Sequence, residues 1–361
     1  MFQIYIIDMQ SIEANGYSIH FNEKGYEEIN KIISDNKYSS IFLLVDEHTN
    51  EHCSAKFLPN IATEIPIEII EIEAGEELKN ITSCVEIWSI LSDLGADRKS
   101  VLINLGGGVV TDLGGFIAST YKRGIDFINI PTSLLGMVDA SIGGKNGVDL
   151  DNLKNQIGVI NNPKMVLIDT EYLVTLPLNQ MRSGLAEMLK HGLIYDANYW
   201  NQFLEMKKID SEELDQLIYR SIEIKNEIVI QDPTENGIRK ALNFGHTLGH
   251  AIESHFLETP TPLLHGEAIA IGMILESYIS KEKHLITNEE FHQIKHTLTH
   301  LFDSVVFSDE AIESIQKLLI HDKKNEYGKV QFALLDGIGK IRINEYSSND
   351  LIINAFSDYA E

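Results

Sequence analysis

The chain has 361 residues, of which 43% are hydrophobic, and its formal net charge is −25 at neutral pH. This length provides enough core for two medium domains or one large domain, and the glycine-rich, proline-poor composition favours an α/β fold. The acidic charge argues against nucleic acid or an anionic membrane as a partner. Cys53 and Cys84 have no CxxC spacing, which argues against a disulfide framework and predicts a reducing, cytoplasmic location.

The N-terminal segment and the late apolar run give no sign of secretion or membrane insertion. The N-terminal "MFQIYIIDMQ" lacks the basic region and long apolar stretch of a signal peptide. The strongest late apolar run, residues 268–275, is too short to cross a bilayer. We therefore expect no membrane partner.

The first half of the chain alternates short β-branched runs with helical stretches. Helices are predicted at residues 80–95 and 112–124, and strands at residues 40–46, 65–72, 100–106, 126–131 and 164–169. Alternating strands and helices are typical of a mainly parallel sheet covered by helices. The sequence therefore predicts a Rossmann-like α/β domain over residues 1–175.

The second half is predominantly helical from about Leu176, with a boundary near residues 174–179 and a small hairpin at 330–335 and 340–343. An all-α domain is predicted for residues 176–361. Within the predicted helix 211–231, Lys225 lies on an apolar stripe. This lysine either extends to solvent or meets an anion in a pocket.

A glycine-rich segment, "LINLGGGVVTDLGGF" at residues 102–116, reads as a strand, a turn and a helix start, with Asp112 near the first helical turn. Such a turn allows a pyrophosphate to approach the backbone at a helix N-terminus. The spacing is neither GxGxxG nor a P-loop. The alternative is a tight turn that needs small residues for packing.

Charged side chains accompany two further segments. Residues 137–158 place Asp139, Lys145 and Lys154 in a glycine-rich loop suited to a phosphate or carboxylate. In the predicted helix 182–192, Glu187 and Lys190 share one face. They form either a solvated ion pair or a carboxylate ligand beside an anion-binding lysine.

Histidines mark the segment "ALNFGHTLGHAIES", residues 241–254, which we predict to be helical. Arg239, Asn243, His246 and His250 would then follow one helical face, and His265 opens the next helix. Three histidines and a helical glutamate are suitable ligands for Zn²⁺, Co²⁺ or Fe²⁺. Spacing favours His246 and His250 but does not decide which three of the four bind. A catalytic histidine beside one ligand, or two inert core histidines, are the alternatives.

Together these segments resemble the 3-dehydroquinate synthase family of the sugar-phosphate cyclase superfamily, from about residue 46 to 339. The resemblance implies an NAD-binding Rossmann-like domain, a helical domain with one zinc or cobalt ion, an active site in the cleft between them and a homodimer. It assigns the metal to Glu187, His246 and His265. His250 then becomes a residue on the substrate side.

The resemblance also implies the remaining roles. The residues it assigns to NAD are Asp46, Glu76, Lys79, Gly107, Gly108, Val109, Asp112, Thr132, Ser133, Lys145, Lys154 and Thr175. The residues it assigns to the substrate are Asp139, Lys145, Asn155, Lys190, Lys225, Arg239, Asn243, His250, Lys323 and Lys324. Arg123 would reach the phosphate bound by the partner subunit. One departure from the usual family wording is Asn146, which follows Lys145 where threonine is common.

The implied reaction converts 3-deoxy-D-arabino-heptulosonate 7-phosphate to 3-dehydroquinate and phosphate with a recycled NAD. Three alternatives remain at this stage. They are another sugar-phosphate cyclase, a metal-dependent polyol dehydrogenase of similar architecture, and a non-catalytic protein that binds NAD or phosphate.

Overall fold

The computed structural model describes residues 9–150, 153–205, 211–257, 259–319 and 330–361. The chain forms two compact units. One comprises Met1–Pro177 with Asp210–Asn226, and the other comprises Leu178–Ile209 with Glu227–Glu361. The predicted boundary at residues 175/176 stays a prediction. Among the described residues, no helix is both long and apolar enough to cross a membrane.

The elements are numbered in chain order. The strands are β1 (Ile12–Glu13), β2 (Ser18–Phe21), β3 (Ile41–Asp46), β4 (Ile67–Ile72), β5 (Val101–Gly106), β6 (Asp126–Pro131), β7 (Lys145–Leu150), β8 (Leu153–Ile160), β9 (Met165–Ile168), β10 (Gln331–Leu335) and β11 (Ile341–Tyr346). The helices are α1 (Asn22–Asn36), α2 (Glu47–Phe57), α3 (Ile81–Asp93), α4 (Gly108–Thr120), α5 (Leu178–Tyr195), α6 (Ala197–Glu205), α7 (Ser211–Gln231), α8 (His246–Leu257), α9 (His265–Glu282), α10 (Asn288–Leu301), α11 (Asp309–Leu319) and α12 (Asn349–Tyr359).

The first unit contains a seven-stranded sheet, counted over the described residues, in the order β1-β2-β9-β6-β5-β3-β4. All neighbouring strands are parallel except β1 and β2. Every residue of β5 and β9 is buried, as expected for strands covered on both faces. The α/β prediction and its five strands are confirmed.

A β-hairpin formed by β7 and β8 lies where the sequence predicted a loop. The two strands pair antiparallel, with Lys145 opposite Ile160. Gly147 and Gly158 face each other so closely that an added Cβ would lie within 2.8 Å of backbone atoms. Both positions therefore require glycine, and glycine hides the residue pattern by which a strand is recognised in the sequence. The hairpin fixes the positions of Lys145 and Lys154, which a flexible loop would not.

Over its described residues, the second unit is helical apart from the β10–β11 hairpin, which confirms the predicted pair of late strands. The continuous helix predicted over residues 241–254 is wrong. A 3-10 turn spans Ile238–Asn243, and α8 begins only at His246. Gly245 separates them with a φ of +77°, a conformation that glycine adopts without strain. Arg239 and Asn243 therefore do not continue the face that carries the two histidines.

Candidate active site

Three side chains from three helices of the second unit converge on one point. Glu187 of α5 is fully buried, His246 opens α8 and His265 opens α9. The Glu187 Oε1 lies 3.5 Å from the His246 Nε2 and 3.6 Å from the His265 Nε2. The ligand set that the family resemblance implied is thus brought together, although its role remains a prediction.

The geometry fits a divalent cation. Metal–ligand bonds of about 2.1 Å in a tetrahedral arrangement separate neighbouring donors by about 3.4 Å. The two measured separations from the Glu187 oxygen are close to this value, and the donor atoms of the group all lie within 4.8 Å of one another. Two imidazole nitrogens and one carboxylate suit zinc or cobalt.

Each histidine ring is held through its other nitrogen. The His246 Nδ1 donates a hydrogen bond to the Phe244 carbonyl oxygen at 3.0 Å, and the His265 Nδ1 lies 3.3 Å from the Glu253 carboxylate. Both Nε2 atoms are consequently directed at Glu187. Metal-binding histidines characteristically carry such a hydrogen bond on the nitrogen that faces away from the metal.

The carboxylates in and beside this group favour a positive charge next to them. Burial alone would lower the pKa of His265, but the carboxylates of Glu253 and Glu187 outweigh burial and raise the pKa to about 10. A proton on this imidazole compensates for two neighbouring carboxylates. A divalent cation bound at the same point would supply that charge instead.

A buried glutamate on α9 fixes the start of α8. The Glu276 carboxylate accepts hydrogen bonds from the Gly245 N–H at 2.6 Å and from the Leu248 N–H at 3.1 Å. It therefore acts as an N-terminal cap supplied by a neighbouring helix, on which a negative charge is favourable. Because His246 lies between these two residues, the cap sets the position of its ring.

The start of α9 is fixed against α5 by a close backbone approach. A Cβ added to Gly266 would lie 2.3 Å from the Ser183 Cα, so only glycine fits there. The Gly266 N–H donates to the Ser183 Oγ at 2.9 Å, and the Glu267 carboxylate accepts from the Leu264 N–H at 2.9 Å. His265 is positioned by this contact.

Two further predicted residues adjoin the group. The ammonium of Lys190 forms an ion pair with the second carboxylate oxygen of Glu187, and both side chains are buried. The solvated alternative considered for this pair is therefore wrong. The His250 ring centroid lies 5.0 Å from that of His246 and 5.8 Å from that of His265. His250, Glu253 and His265 form a second possible metal group, so proximity alone does not exclude His250.

Arg239 and Asn243 lie on the 3-10 turn before α8. Arg239 is 1% exposed, and its guanidinium donates to the Pro233 carbonyl oxygen at 2.7 Å. The Asn243 amide donates to the Glu235 carboxylate at 2.8 Å. A buried guanidinium held by its own turn is suited to bind an anion.

In the first unit, the glycine-rich turn joins β5 to α4. Gly107 is the N-cap residue of α4 and has no side chain with which to cap it, so the helix N-terminus presents backbone N–H groups. An added Cβ would lie 3.3 Å from the Ser133 Oγ at Gly107 and 3.3 Å from the Ala140 Cβ at Gly108. The turn thus serves close packing, and its use by a pyrophosphate stays a prediction.

Five of the predicted residues form one ionic cluster in this unit. The buried Lys79 ammonium lies 2.7 Å from the Asp112 carboxylate, 3.9 Å from that of Glu76 and 2.8 Å from the Asn155 amide oxygen. The Lys154 ammonium lies 2.9 Å from the Glu76 carboxylate. The structure therefore places Asn155, predicted to bind the substrate, among residues predicted to bind NAD.

Carboxylates outnumber lysines in this cluster, because Asp149 also lies 4.0 Å from the Lys154 ammonium. Burial lowers the pKa of Lys79, but Asp112 and Glu76 outweigh burial and raise it. Burial raises the pKa of Asp149, and Glu76 adds to the rise. Lys79 is consequently held as a cation, and the cluster retains acidic groups suited to sugar hydroxyls.

Lys225 does not extend to solvent. It is 5% exposed, and its ammonium lies 2.6 Å from the Asp139 carboxylate and also donates to the Asp139 carbonyl oxygen. Asp139 belongs to a π-helical turn, Gly136–Ala140. The structure thus pairs two residues that the sequence assigned to the substrate.

Other predicted residues lie outside these clusters. Asp46 caps α2 by accepting from the Thr49 N–H at 2.7 Å, Thr175 ends the 3-10 turn Thr170–Thr175, and Lys145 is exposed at the start of β7. Arg123 is exposed in a turn with a φ of +68°. Lys323 and Lys324 lie outside the described residues.

Sequence reasoning missed Glu253 and Glu276, the two buried carboxylates that hold the histidines. Glu253 lies three residues after His250 on α8, so its spacing was available as a signal. Glu276 lies in an apolar stretch of α9, where a buried carboxylate requires a partner. Its partners are backbone N–H groups, which no residue pattern reveals.

Solved structures share this fold. A 2-deoxy-scyllo-inosose synthase complexed with carbaglucose-6-phosphate, NAD⁺ and Co²⁺ superposes with a TM-score of 0.83 at 24% identity, covering 97% of this chain and 100% of that one. The 2-epi-5-epi-valiolone synthase of Streptomyces hygroscopicus subsp. jinggangensis, with NAD⁺ and Zn²⁺ bound, gives 0.82 at 26% identity, covering 97% and 98%. The fold is therefore that of the sugar-phosphate cyclases.

Sequence comparisons are more specific. The model of the 3-dehydroquinate synthase N-terminal region matches residues 69–183, and that of the C-terminal region matches residues 184–325. The 3-dehydroquinate synthase of Parabacteroides distasonis is 40% identical over 336 residues, covering 92% of this chain and 95% of the relative. The chain belongs to the 3-dehydroquinate synthase family, as its resemblance implied.

Proposed function

We propose that the chain is an enzyme that converts 3-deoxy-D-arabino-heptulosonate 7-phosphate to 3-dehydroquinate and inorganic phosphate. The observation that carries the proposal is the buried group of Glu187, His246 and His265, with the Lys190 ammonium paired to Glu187. This arrangement provides three ligands for one cation and leaves coordination positions for substrate oxygens. The 40% identical relative supports the choice of substrate.

The reaction is redox-neutral overall. When bound, NAD⁺ would accept a hydride from the substrate and return it, and the Zn²⁺ or Co²⁺ would acidify the hydroxyl that is oxidised. Transient oxidation acidifies the neighbouring C–H, so that phosphate leaves by elimination. Ring opening and an intramolecular aldol closure then complete the product. The protein supplies binding, orientation and charge.

Basic side chains neutralise the substrate carboxylate and phosphate. Lys190 and Lys225 are 1% and 5% exposed, so each ammonium acts in a medium that strengthens its interaction with an anion. Their present partners, Glu187 and Asp139, hold the two ammonium groups in place. Arg239, Asn243, His250, Lys145, Asn155, Lys323 and Lys324 complete the proposed substrate contacts.

The first unit binds the dinucleotide in this proposal. The N-terminus of α4 provides N–H groups for the pyrophosphate, next to Ser133 and Thr132. Asp112 and Glu76 are held by Lys79 and Lys154, and in this proposal they bind the remaining polar groups of the cofactor. Asp46 and Thr175 are assigned contacts with the cofactor on family grounds alone.

We further propose a homodimer in which Arg123 contacts the substrate bound by the partner subunit. The exposure of Arg123 and its left-handed backbone conformation support this role, because such a conformation in a non-glycine residue commonly marks a functional turn. A cytoplasmic location is supported by Cys53 and Cys84, which are both buried and free.

The test is a discontinuous assay with purified protein, the heptulosonate phosphate, NAD⁺ and Zn²⁺ or Co²⁺. Phosphate and dehydroquinate are quantified while reduced cofactor is followed by its near-ultraviolet absorbance. We expect equal amounts of the two products and no net NADH. Reactions without NAD⁺, or with a chelator in place of the metal, serve as controls and should yield neither product.

Other outcomes would identify the rivals. Absence of phosphate release, with turnover of a different sugar phosphate, would indicate a sister cyclase. Stoichiometric NADH from a simple polyol would indicate a dehydrogenase, and binding of NAD⁺ without any turnover would indicate a non-catalytic protein. Each of these results would contradict the proposed activity.

A further inference from the structure

Glu253 is a buried carboxylate for which the proposed reaction has no direct use. It lies on α8, is 6% exposed, and its Oε2 is 3.3 Å from the His265 Nδ1. A buried charge of this kind destabilises a protein unless it is paired. The free-energy cost of burying this carboxylate indicates that its pairing with His265 has a functional role.

The pairing follows the same pattern as that of the other histidine. His246 directs its Nδ1 at the Phe244 carbonyl oxygen and its Nε2 at Glu187, at 3.0 and 3.5 Å. His265 directs its Nδ1 at Glu253 and its Nε2 at Glu187, at 3.3 and 3.6 Å. In each ring one nitrogen is committed to an oxygen acceptor, which leaves the other nitrogen facing the shared carboxylate.

His265 needs this support more than His246 does. The His246 side chain is 9% exposed and bonds to a carbonyl oxygen two residues away, that of Phe244. The His265 side chain is 25% exposed. A partly exposed imidazole samples more rotamers and both tautomers unless a neighbour restrains it. A carboxylate restrains it more strongly than a neutral carbonyl, because hydrogen bonds to charged groups are stronger.

We propose that Glu253 is a positioning residue that holds the His265 imidazole with its Nε2 towards the metal, without itself binding the metal. This inference rests on the proposed function only in so far as that function requires a metal on Glu187, His246 and His265. It competes with a second possible metal group within the same unit, His250 with Glu253 and His265, in which Glu253 would be a ligand.

The test uses purified metal-free protein and Co²⁺ alone as the probe. Competition with a chromophoric chelator gives the dissociation constant, and the visible absorption of the Co²⁺ complex reports the number and type of ligands. We expect Glu253→Ala to weaken Co²⁺ binding about 10- to 100-fold, as is usual when such a supporting partner is removed. The visible spectrum should keep its wild-type intensity, because the ligand set is unchanged.

Two further variants complete the design. Glu253→Gln retains an oxygen that accepts the Nδ1 hydrogen bond, so it should recover part of the lost affinity. Glu282→Ala removes a glutamate of α9 whose side chain is 43% exposed, and it should bind Co²⁺ as the wild type does. Circular dichroism of each metal-free variant verifies folding before titration.

The outcomes are distinguishable. Unchanged affinity in Glu253→Ala would overturn the positioning role, and a changed band intensity would show that Glu253 is a ligand, which also overturns it. Because no substrate is present, these results are independent of the sugar phosphate used. If Glu253→Ala shows the expected Co²⁺ defect but the wild-type protein releases no phosphate from the heptulosonate phosphate, the proposed activity alone is refuted.

Discussion

His246 and His250 differ in what surrounds them, although one turn of α8 separates them. The His246 ring is held between the Phe244 carbonyl oxygen and Glu187. His250 faces the same group from a half-buried position, with its ring near both other histidines. The two side chains should therefore respond differently to the same substitution.

We expect His246→Ala to abolish stoichiometric Zn²⁺ or Co²⁺ binding and all activity, because it removes one of three ligands. His250→Ala should retain the metal and lower kcat by roughly 10²-fold, the size of effect expected when a contact that positions the substrate is lost. Metal analysis of both variants and steady-state kinetics measure this. Loss of metal from His250→Ala would restore the ligand pair suggested by the spacing alone.

At the level of elements, the metal group depends on how closely two helix starts approach their neighbours. Gly266 of α9 meets the backbone of α5 at Ser183, and Gly272 meets the Gly245 carbonyl oxygen before α8, where an added Cβ would lie 2.0 Å away. Backbone atoms cannot move aside as a side chain can. The glycines thus determine where His265 and His246 begin their helices.

Gly266→Ala should consequently shift the start of α9 and weaken metal binding, with a loss of stability of about 1–3 kcal/mol from overpacking. Ser183→Ala is the matched comparison, since it removes only the hydrogen bond to Gly266, worth about 1 kcal/mol. Thermal unfolding and Co²⁺ titration of both variants measure the difference. Equal effects of the two substitutions would mean that the close approach is unimportant.

The turn that carries Arg239 depends on an acid. The Asp232 carboxylate accepts from the N–H groups of Gly237, Arg239 and Asn236 at 2.7, 3.0 and 3.1 Å. Burial raises the pKa of Asp232, but these hydrogen bonds together outweigh it and lower the pKa. The stability that they contribute is therefore present above the unfolded-state pKa, about 3.9, and is lost as the pH falls through the folded-state pKa.

Asp232→Asn should accordingly be less stable than the wild type at neutral pH, and the difference should shrink below about pH 4. Urea unfolding across that interval, with the metal omitted, provides the measurement. Glu289→Gln is a suitable control, because Glu289 is exposed in the first turn of α10. A stability difference that did not change with pH would mean that the charge of Asp232 is not involved.

At the scale of the whole molecule, the proposed homodimer makes a specific demand on Arg123. If its side chain acts on the partner subunit, each active site combines Arg123 of one chain with His246 of the other. Arg123→Ala and His246→Ala chains, each inactive alone, should then regain activity after mixing and subunit exchange. Statistically, about a quarter of the sites are intact when the chains exchange freely in equal amounts.

Activity recovery is measured against two controls, namely each variant mixed with itself and the mixture before exchange. Absence of recovery, in a mixture that light scattering and mass spectrometry show to contain mixed dimers, would place Arg123 in its own subunit's site or outside the site. A protein that these measurements show to be purely monomeric would contradict the proposed dimer.

The sequence predicted the five strands β3, β4, β5, β6 and β9 because their β-branched runs are short and separated by helical segments. It proposed Glu187, His246 and His265 as metal ligands only through family resemblance, since spacing favoured His246 and His250 and did not decide which three of the four bind. The prediction of a continuous helix failed at Gly245, whose left-handed backbone lies between the 3-10 turn and α8. Glycine in an apolar run is compatible with an uninterrupted helix, so the sequence showed no sign of this break. The cap from Glu276 depends on a partner on another helix, so local patterns could not reveal it, and the glycines of β7 and β8 concealed the hairpin.

The first unit is assembled from two separate parts of the chain, which has a consequence during protein synthesis. Its second part contributes Asn226, which donates to the Glu13 carbonyl oxygen, and Tyr219, whose ring packs against Phe21. These partners are near the N-terminus, whereas the unit ends at Asn226. A ribosome adding about 5–20 residues per second needs several more seconds to proceed from Pro177 to Asn226. All strands of the sheet are therefore synthesised first, and the first unit stays incomplete until its second part follows, while part of the other unit is being made.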